Sequence, residues 1–217
     1  MQRIRLNERD VAEAVETARE FMRTHTISRA SWWLSERSTP ADVEERLLAC
    51  GLTIVEGDHL IDGMLLTSRP PPGPAGVVAR PVVTADEHVA AILAQYEAFG
   101  TPAERRRDAA ALAREFDRER QAEVVVTFAA WLEGRVVGAG RAIFTPRGAL
   151  LAGGSTIHDA RGRGVYRTLV RARWDAAVAR STPALAVQAG AMSAPILRRL
   201  GFEKVCQFRR LQDVASP

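Results

Sequence analysis

The sequence predicts a mixed α/β fold built on one mixed sheet. Three observations point there. Over residues 77–217, apolar runs of strand length alternate with segments at helical spacing. Two of those runs are joined by only Glu133-Gly134, a short hairpin signal. A Gly/Arg-rich loop then leads from a strand into a helix.

Taken in order, Val77–Val83 reads as a strand. Glu87–Phe99 reads as a helix, with Val89, Ile92, Leu93, Tyr96 and Phe99 on its apolar stripe and Gly100 as its stop. Residues 103–118 form a second, highly charged helix. Val124–Leu132 and Arg135–Phe144 are the hairpin strands, and Ala149–Ile157 is a third strand after the turn Pro146-Arg147-Gly148. A helix follows the Gly/Arg loop and runs to about Arg180. Pro183 precedes a strand at Ala184–Gln188, Ser193–Leu200 is a short helix ended by Gly201, and Lys204–Leu211 is the last strand. The order is β-α-α-β-β-β-α-β-α-β.

The segment Ser68-Arg69-Pro70-Pro71-Pro72-Gly73-Pro74-Ala75-Gly76 is an extended linker, because its prolines fit neither a helix interior nor a central strand. Before it, residues 1–67 read as a helix near 8–24, a strand at Ser31–Leu34, a helix at Pro40–Ala49, Gly51, and a strand near Gly63–Thr67. Strand, helix, glycine and a large apolar residue (Leu52) recur here as they do at Ala184–Phe202. The expected division is therefore an N-terminal half-repeat at 1–67, a linker at 68–76 and a main domain at 77–217. A helix ended by glycine is also a common connection in its own right.

Composition bounds the function. The chain has 217 residues, 47% hydrophobic and 26% charged, as a globular protein does. No stretch has the roughly 20 apolar residues of a membrane span. Met1-Gln2-Arg3-Ile4-Arg5 carries no apolar core of a signal peptide. Cys50 and Cys206 have no metal-ligand spacing and build no disulfide framework, so a reducing cytoplasm is expected. The net charge of +4 divides unevenly, −3 over residues 1–75 and +7 over 76–217. A positive C-terminal portion suits an anionic ligand, or is simply a solvated arginine-rich surface. The arginines are not interleaved with aromatics, so nucleic acid is not an expected partner.

The informative stretch is Thr156-Ile157-His158-Asp159-Ala160-Arg161-Gly162-Arg163-Gly164-Val165-Tyr166-Arg167. Gly162 and Gly164 allow a sharp turn and close approach to a ligand. The first N–H groups of the following helix have no internal partner and sit at its positive end, a cradle for phosphate. Arg161 and Arg163 add charge that a diphosphate would neutralise. The dinucleotide fingerprint fails because its third glycine would fall on Arg167, and there is no Gly-Lys-Ser/Thr of a P-loop.

The stretch resembles the acyl-CoA loop of the GCN5-related N-acetyltransferase (GNAT) family, Arg/Gln-x-x-Gly-x-Gly/Ala, often within Val-x-Pro-x-x-Arg-Gly-x-Gly, at Arg161, Gly162 and Gly164. Thr156, His158 and Tyr166 depart from its usual valine, proline and small residue. The element order of 77–213, the hairpin Glu133-Gly134-Arg135-Val136-Val137-Gly138 and the helix end Leu200-Gly201-Phe202 extend the likeness over about 140 residues. The resemblance implies the GNAT fold preceded by a degenerate half-GNAT-like region. It implies an N-acetyltransferase that moves acetyl from acetyl-CoA, its co-substrate, to a primary amine without a metal. Acetyl-CoA would lie between splayed strands at Ala149–Ile157 and Ala184–Gln188. Backbone groups of Thr156, Ile157 and His158 would pair with pantetheine, and N–H groups of Arg161, Gly162, Arg163, Gly164, Val165, Tyr166 and Arg167 would hold the pyrophosphate, Gly164 most closely.

Many family members carry a tyrosine on the helix before Gly-Phe that protonates the leaving thiolate. Here that position is Leu197, with Gly190 and Ser193 before it. The catalytic residues are thus unassigned, with three weak candidates. Tyr166 falls on a helix stripe with Val170, Trp174 and Ala177, which suits packing, although its place in the loop also puts it near the cofactor. His158 has a near-neutral side chain at the strand end. Ser193 suits a helix cap. The missing tyrosine keeps a second reading, a non-catalytic acyl-CoA-binding or regulatory module. The acceptor would be a small-molecule or peptide amine selected by 100–120 and the N-terminal region. No membrane partner is expected, and the oligomeric state is open.

Overall fold

A computed structural model of the chain describes residues 4–57 and 59–214. Its helices are α1 (Val11–Thr24), α2 (Val43–Ala49), α3 (Ala85–Ala98), α4 (Ala109–Ala122), α5 (Val165–Ala179) and α6 (Ala194–Arg199). Its strands are β1 (Arg29–Ser35), β2 (Thr53–Ile54), β3 (Leu60–Leu66), β4 (Val77–Pro81), β5 (Val125–Leu132), β6 (Arg135–Thr145), β7 (Gly148–Thr156), β8 (Leu185–Ala189) and β9 (Glu203–Val214). The predicted order of 77–213 is observed throughout.

The residues separate into two compact units, and the division does not fall at the linker. The first unit takes the chain up to Met64, Ala189–Ile196 and the chain from Lys204. The second takes Leu65–Gln188 and Leu197–Glu203. The last strand therefore belongs with the N-terminal elements, because β9 pairs antiparallel with β1 from Arg29↔Val214 to Ser35↔Phe208. The two-residue β2, not foreseen, also adds to β9.

In the first unit, Val11, Val15 and Met22 recur at helical spacing and give α1 one buried face. Period-two burial of Trp32 and Leu34 on β1 meets that face, with Val43 and Leu47 of α2, Leu52 and Leu211 completing the core. Helix α2 starts at Val43 rather than Pro40, after a cis Thr39-Pro40 bond. Beside this core Arg19 reaches the buried Asp213 at 2.9 Å and donates to the Cys50 carbonyl. Helix α2 ends on Gly51 and α6 on Gly201, each at positive φ. The next N–H returns five residues, Leu52 to Leu47 and Phe202 to Leu197, a shared helix C-cap. Cys50 and Cys206 are free thiols.

In the second unit the strands run β8-β7-β6-β5-β4. β4, β5, β6 and β7 are antiparallel, and β7 and β8 are parallel. Glu133 (φ 54°) and Gly134 (φ 79°) turn the β5–β6 hairpin. Thr84 caps α3 by accepting the Glu87 N–H, and Asp108 caps α4 by accepting that of Ala111. The Asp108 cap explains why the charged helix starts at Ala109 and leaves only a 3-10 turn at Ala103–Arg105.

The buried face of α3 is His88, Ala91, Ile92 and Ala94, while Leu93 and Phe99 are exposed. A fully buried histidine occupies the core face because carboxylates meet it there. Its Nε2 bonds Glu115 at 3.3 Å. Arg107 and Arg141 also pair with Glu115, at 3.0 and 3.1 Å. Arg141 reaches Glu119 at 3.2 Å, which in turn accepts from buried Thr127. Burial pushes Glu115 up, but Arg107, Arg141 and His88 outweigh it and hold the carboxyl below its ordinary range. Candidate metal-ligand atoms of His88, Glu115 and Glu119 do lie within 4.8 Å of one another. A divalent ion there would have to displace Arg141 from both carboxylates.

Candidate functional site

Strands β7 and β8 pair only at Ala149↔Leu185, Leu150↔Ala186 and Leu151↔Val187. β7 continues to Thr156 without that partner. The gap opens next to an irregularity. Ala139 opposes Ser155 but Arg141 opposes Ala152, so β7 carries one extra residue, a bulge at Gly153-Gly154. Gln95 of α3 donates to the Gly153 carbonyl from one face. From the other face Tyr166 of α5 lies across Gly154, where an added Cβ would sit 2.8 Å from the ring.

Beyond β7, His158–Ala160 form a 3-10 turn and Arg161-Gly162-Arg163-Gly164 turn into α5. Gly164 is the N-cap at φ 78°, and no side chain caps the helix. A left-handed glycine as N-cap leaves the first helical N–H groups directed outward, at the positive end of the dipole. Gly162 is also left-handed, and its missing side chain faces open space.

The loop arginines are placed differently from expectation. Arg163 pairs with Glu133 at 2.8 Å, and Arg161 points back to the carbonyls of Thr156 and Ala98. Arg167 is the uncommitted one: it forms no ion pair among the described residues, its Nε is buried without a partner, and its guanidinium approaches Gly164. Gly164 itself does not face only a ligand. A Cβ there would lie 2.6 Å from the Pro74 ring, and one on Gly73 would collide with Thr168. Arg171 donates to the Pro70 carbonyl at 3.0 Å. The proline linker is thus seated along the first turns of α5, and a side chain at 164 would unseat it.

Of the remaining candidates, Val165 is buried against Gly138. Ile157 is buried, donates to the Val137 carbonyl and accepts from Ala160, so it has no free backbone donor for pantetheine. Thr156, the last residue of β7, has a buried hydroxyl without a partner. His158 is exposed. Ser193 gives its hydroxyl to the Gly190 carbonyl, and Leu197 is fully buried. A cavity of about 290 Å³ lined by Val82, Phe116, Glu119, Thr127 and Arg180 lies at the opposite strand ends, where Val125 pairs with Ile143. It is distinct from the cleft. Sequence reading missed Arg173, which is wholly buried below the bulge.

No protein-family model matches the sequence, and no curated protein matches it either. Solved structures do. A GCN5-related N-acetyltransferase from Sphaerobacter thermophilus superposes with TM-score 0.72 at 19% identity, covering 97% of this chain and 70% of that one. One from Kribbella flavida gives TM-score 0.69 at 20% identity over 97% and 77%. A tandem GNAT protein from the clavulanic acid biosynthesis pathway gives 0.69 at 17% identity over 98% and 72%. The chain has the GCN5-related N-acetyltransferase fold. No helix among the described residues is long and apolar enough to cross a membrane.

Proposed function

We propose that the protein is an N-acyltransferase that moves acetyl from acetyl-CoA to a primary amine of a small molecule or peptide. The observation that carries this reading is the parting of β7 from β8 after Leu151↔Val187, with the uncapped end of α5 at the open mouth. Two buried polar atoms there lack partners, Arg167 Nε and Thr156 Oγ1, as a site for a polar, anionic cofactor requires. In this reading the outward N–H groups at the start of α5 hold the diphosphate, and Arg167 adds its charge. The free edge of β7 takes pantetheine as an added strand. The gap fixes the thioester for direct attack by an amine, a reaction that depends chiefly on positioning.

Leu197 in place of the family's tyrosine supports the second reading, acyl-CoA binding without turnover. Calorimetry with acetyl-CoA tests the cleft, and thiol release with a panel of primary amines separates the two readings. Binding without release for any amine favours the second, and absence of binding removes both. Within the first reading, Arg167→Ala weakens acetyl-CoA binding about 10- to 100-fold, the loss of one charge-assisted contact. Arg163→Ala, which loses only an exposed pair with Glu133, changes it less than about threefold. Equal effects in calorimetry would put the diphosphate elsewhere.

We further read residues 1–67 as a degenerate half-copy of this fold. The tandem GNAT protein matched over 98% of the chain supports that reading, as do the matched helix caps at Gly51 and Gly201. Two free thiols suit a reducing cytoplasm.

A further inference from the structure

Arg173 is fully buried. It lies two helical turns beyond Tyr166 on α5, so both side chains fall on the stripe that faces β6 and β7. Its Nε donates to the Leu169 carbonyl and its Nη1 to that of Arg141, while Nη2 has no partner. No carboxylate pairs with it among the described residues. A buried cation in this state is costly, and an apolar side chain of the same volume would fill the space without that cost. Three glycines make room for the arrangement. A Cβ on Gly140 would lie 2.8 Å from Arg173 Nη1, one on Gly154 would strike the Tyr166 ring, and one on Gly138 would strike Val165. The phenol therefore meets the sheet at Gly154 of the bulge and the guanidinium at the adjacent Gly140 of β6, close to the point where β7 leaves β8. The Tyr166 hydroxyl makes no hydrogen bond to another described residue.

We propose that Tyr166 is the proton donor to the leaving thiolate, and that Arg173 is a positioning residue whose buried charge stabilises the phenolate left behind. The proposal rests on the acyl-CoA reading above. The amine nitrogen attacks the thioester carbonyl carbon and forms the C–N bond. The C–S bond breaks with its electron pair on sulfur, which takes the phenolic proton. The phenolate recovers, through solvent, the proton that the acylated nitrogen releases. Amide and thiol result, and the phenol is restored. Burial pushes the Tyr166 phenol up, and Arg173, the charged group acting on it, pulls it back. Burial correspondingly lowers the Arg173 guanidinium, and Tyr166 opposes that shift. The bonds of Arg173 run to backbone carbonyls alone, so nothing else in its contacts accounts for a charge there.

The chain has only two tyrosines, Tyr96 and Tyr166, so fluorotyrosine incorporation gives two assignable fluorine signals. In the Tyr96→Phe background the Tyr166 signal should titrate at least one pH unit higher in Arg173→Met than in protein that keeps Arg173, and Arg173→Lys should restore the value of that control. If Arg173→Met does not fold, Arg173→Gln serves the same comparison. A titration indifferent to the charge at 173 overturns its role. In turnover, Tyr166→Phe should lower kcat about 100-fold with acetyl-CoA affinity unchanged within about twofold. It should also abolish the alkaline limb of the kcat profile, a limb that fluorotyrosine moves to lower pH. Unaltered kcat in Tyr166→Phe, with acetyl-CoA still bound, overturns this proposal alone. Failure of the unaltered protein to bind acetyl-CoA overturns the underlying reading and this one together.

Discussion

Replacing Arg19 with methionine should destabilise the protein by about 3–5 kcal/mol, the range for removing one partner of a buried ion pair. Asp213 is 1% exposed, and its carboxylate takes both Arg19 Nε and Nη2. The pair raises the Arg19 guanidinium above its ordinary value, through the Asp213 hydrogen bond against the opposing effect of burial. Without Arg19, Asp213 is a charge on a strand face packed against α1, and the Cys50 carbonyl also loses a donor. Arg19→Met with Asp213→Leu should recover most of the loss, because two apolar groups replace the pair instead of stranding one charge. Urea unfolding of the single and double variants decides it. A single variant within about 1 kcal/mol of the parent would mean that Asp213 reaches water or another donor.

Glu115→Gln should have the second largest effect, about 3 kcal/mol at neutral pH. Glu115 joins Arg107, Arg141 and His88 in one network under α3 and α4, and the neutral amide leaves Arg141 with Glu119 alone. The pH dependence follows from the sign of its shift. The folded-state pKa is depressed, so the unfolded chain binds more protons over that window. The stabilisation is fully present above the unfolded carboxyl range, near pH 4.5, and is lost as pH falls through the folded value. The gap between parent and variant should therefore close on acidification. Stability curves from pH 7 to pH 3 that remain parallel would contradict this.

Much of the second unit was legible because its signals are local. The Glu133-Gly134 turn, the cap at Gly201 and the glycines of the loop each declare a backbone conformation within a few residues. What stayed hidden depends on distant partners. His88 belongs to no constellation in the sequence until Glu115, 27 positions on, comes beside it. Arg173 is one of three arginines on α5, and although it falls at helical spacing from Leu169, Val170 and Ala177, a charged residue type does not declare burial until the strand carbonyl it bonds is in place. The seating of Pro74 on Gly164 joins a linker to a loop 90 residues later. It reassigns part of what the glycine is for. The contribution of β9 to the first unit was likewise out of reach, because the strand follows Gly201-Phe202 and reads as the end of the main domain.

That last feature sets an order of events during synthesis. Leu211 packs in the same core as Ile4, Val11 and Trp32, and Asp213 is the counterion of Arg19. Nothing emerging from the ribosome can complete this core until the final strand is made, after the whole of Leu65–Gln188. At about 5–20 residues per second that interval is of the order of ten seconds or more. Through it, Trp32, Leu34 and the apolar face of α1 are nascent and unpaired, while the middle of the chain already has every residue it needs except the short return at 197–203. Newly made chains halted before β9 should therefore be the ones that holdase chaperones capture, and the elements around Trp32 and α1 should become protease-resistant later than Leu65–Gln188, which is translated after them.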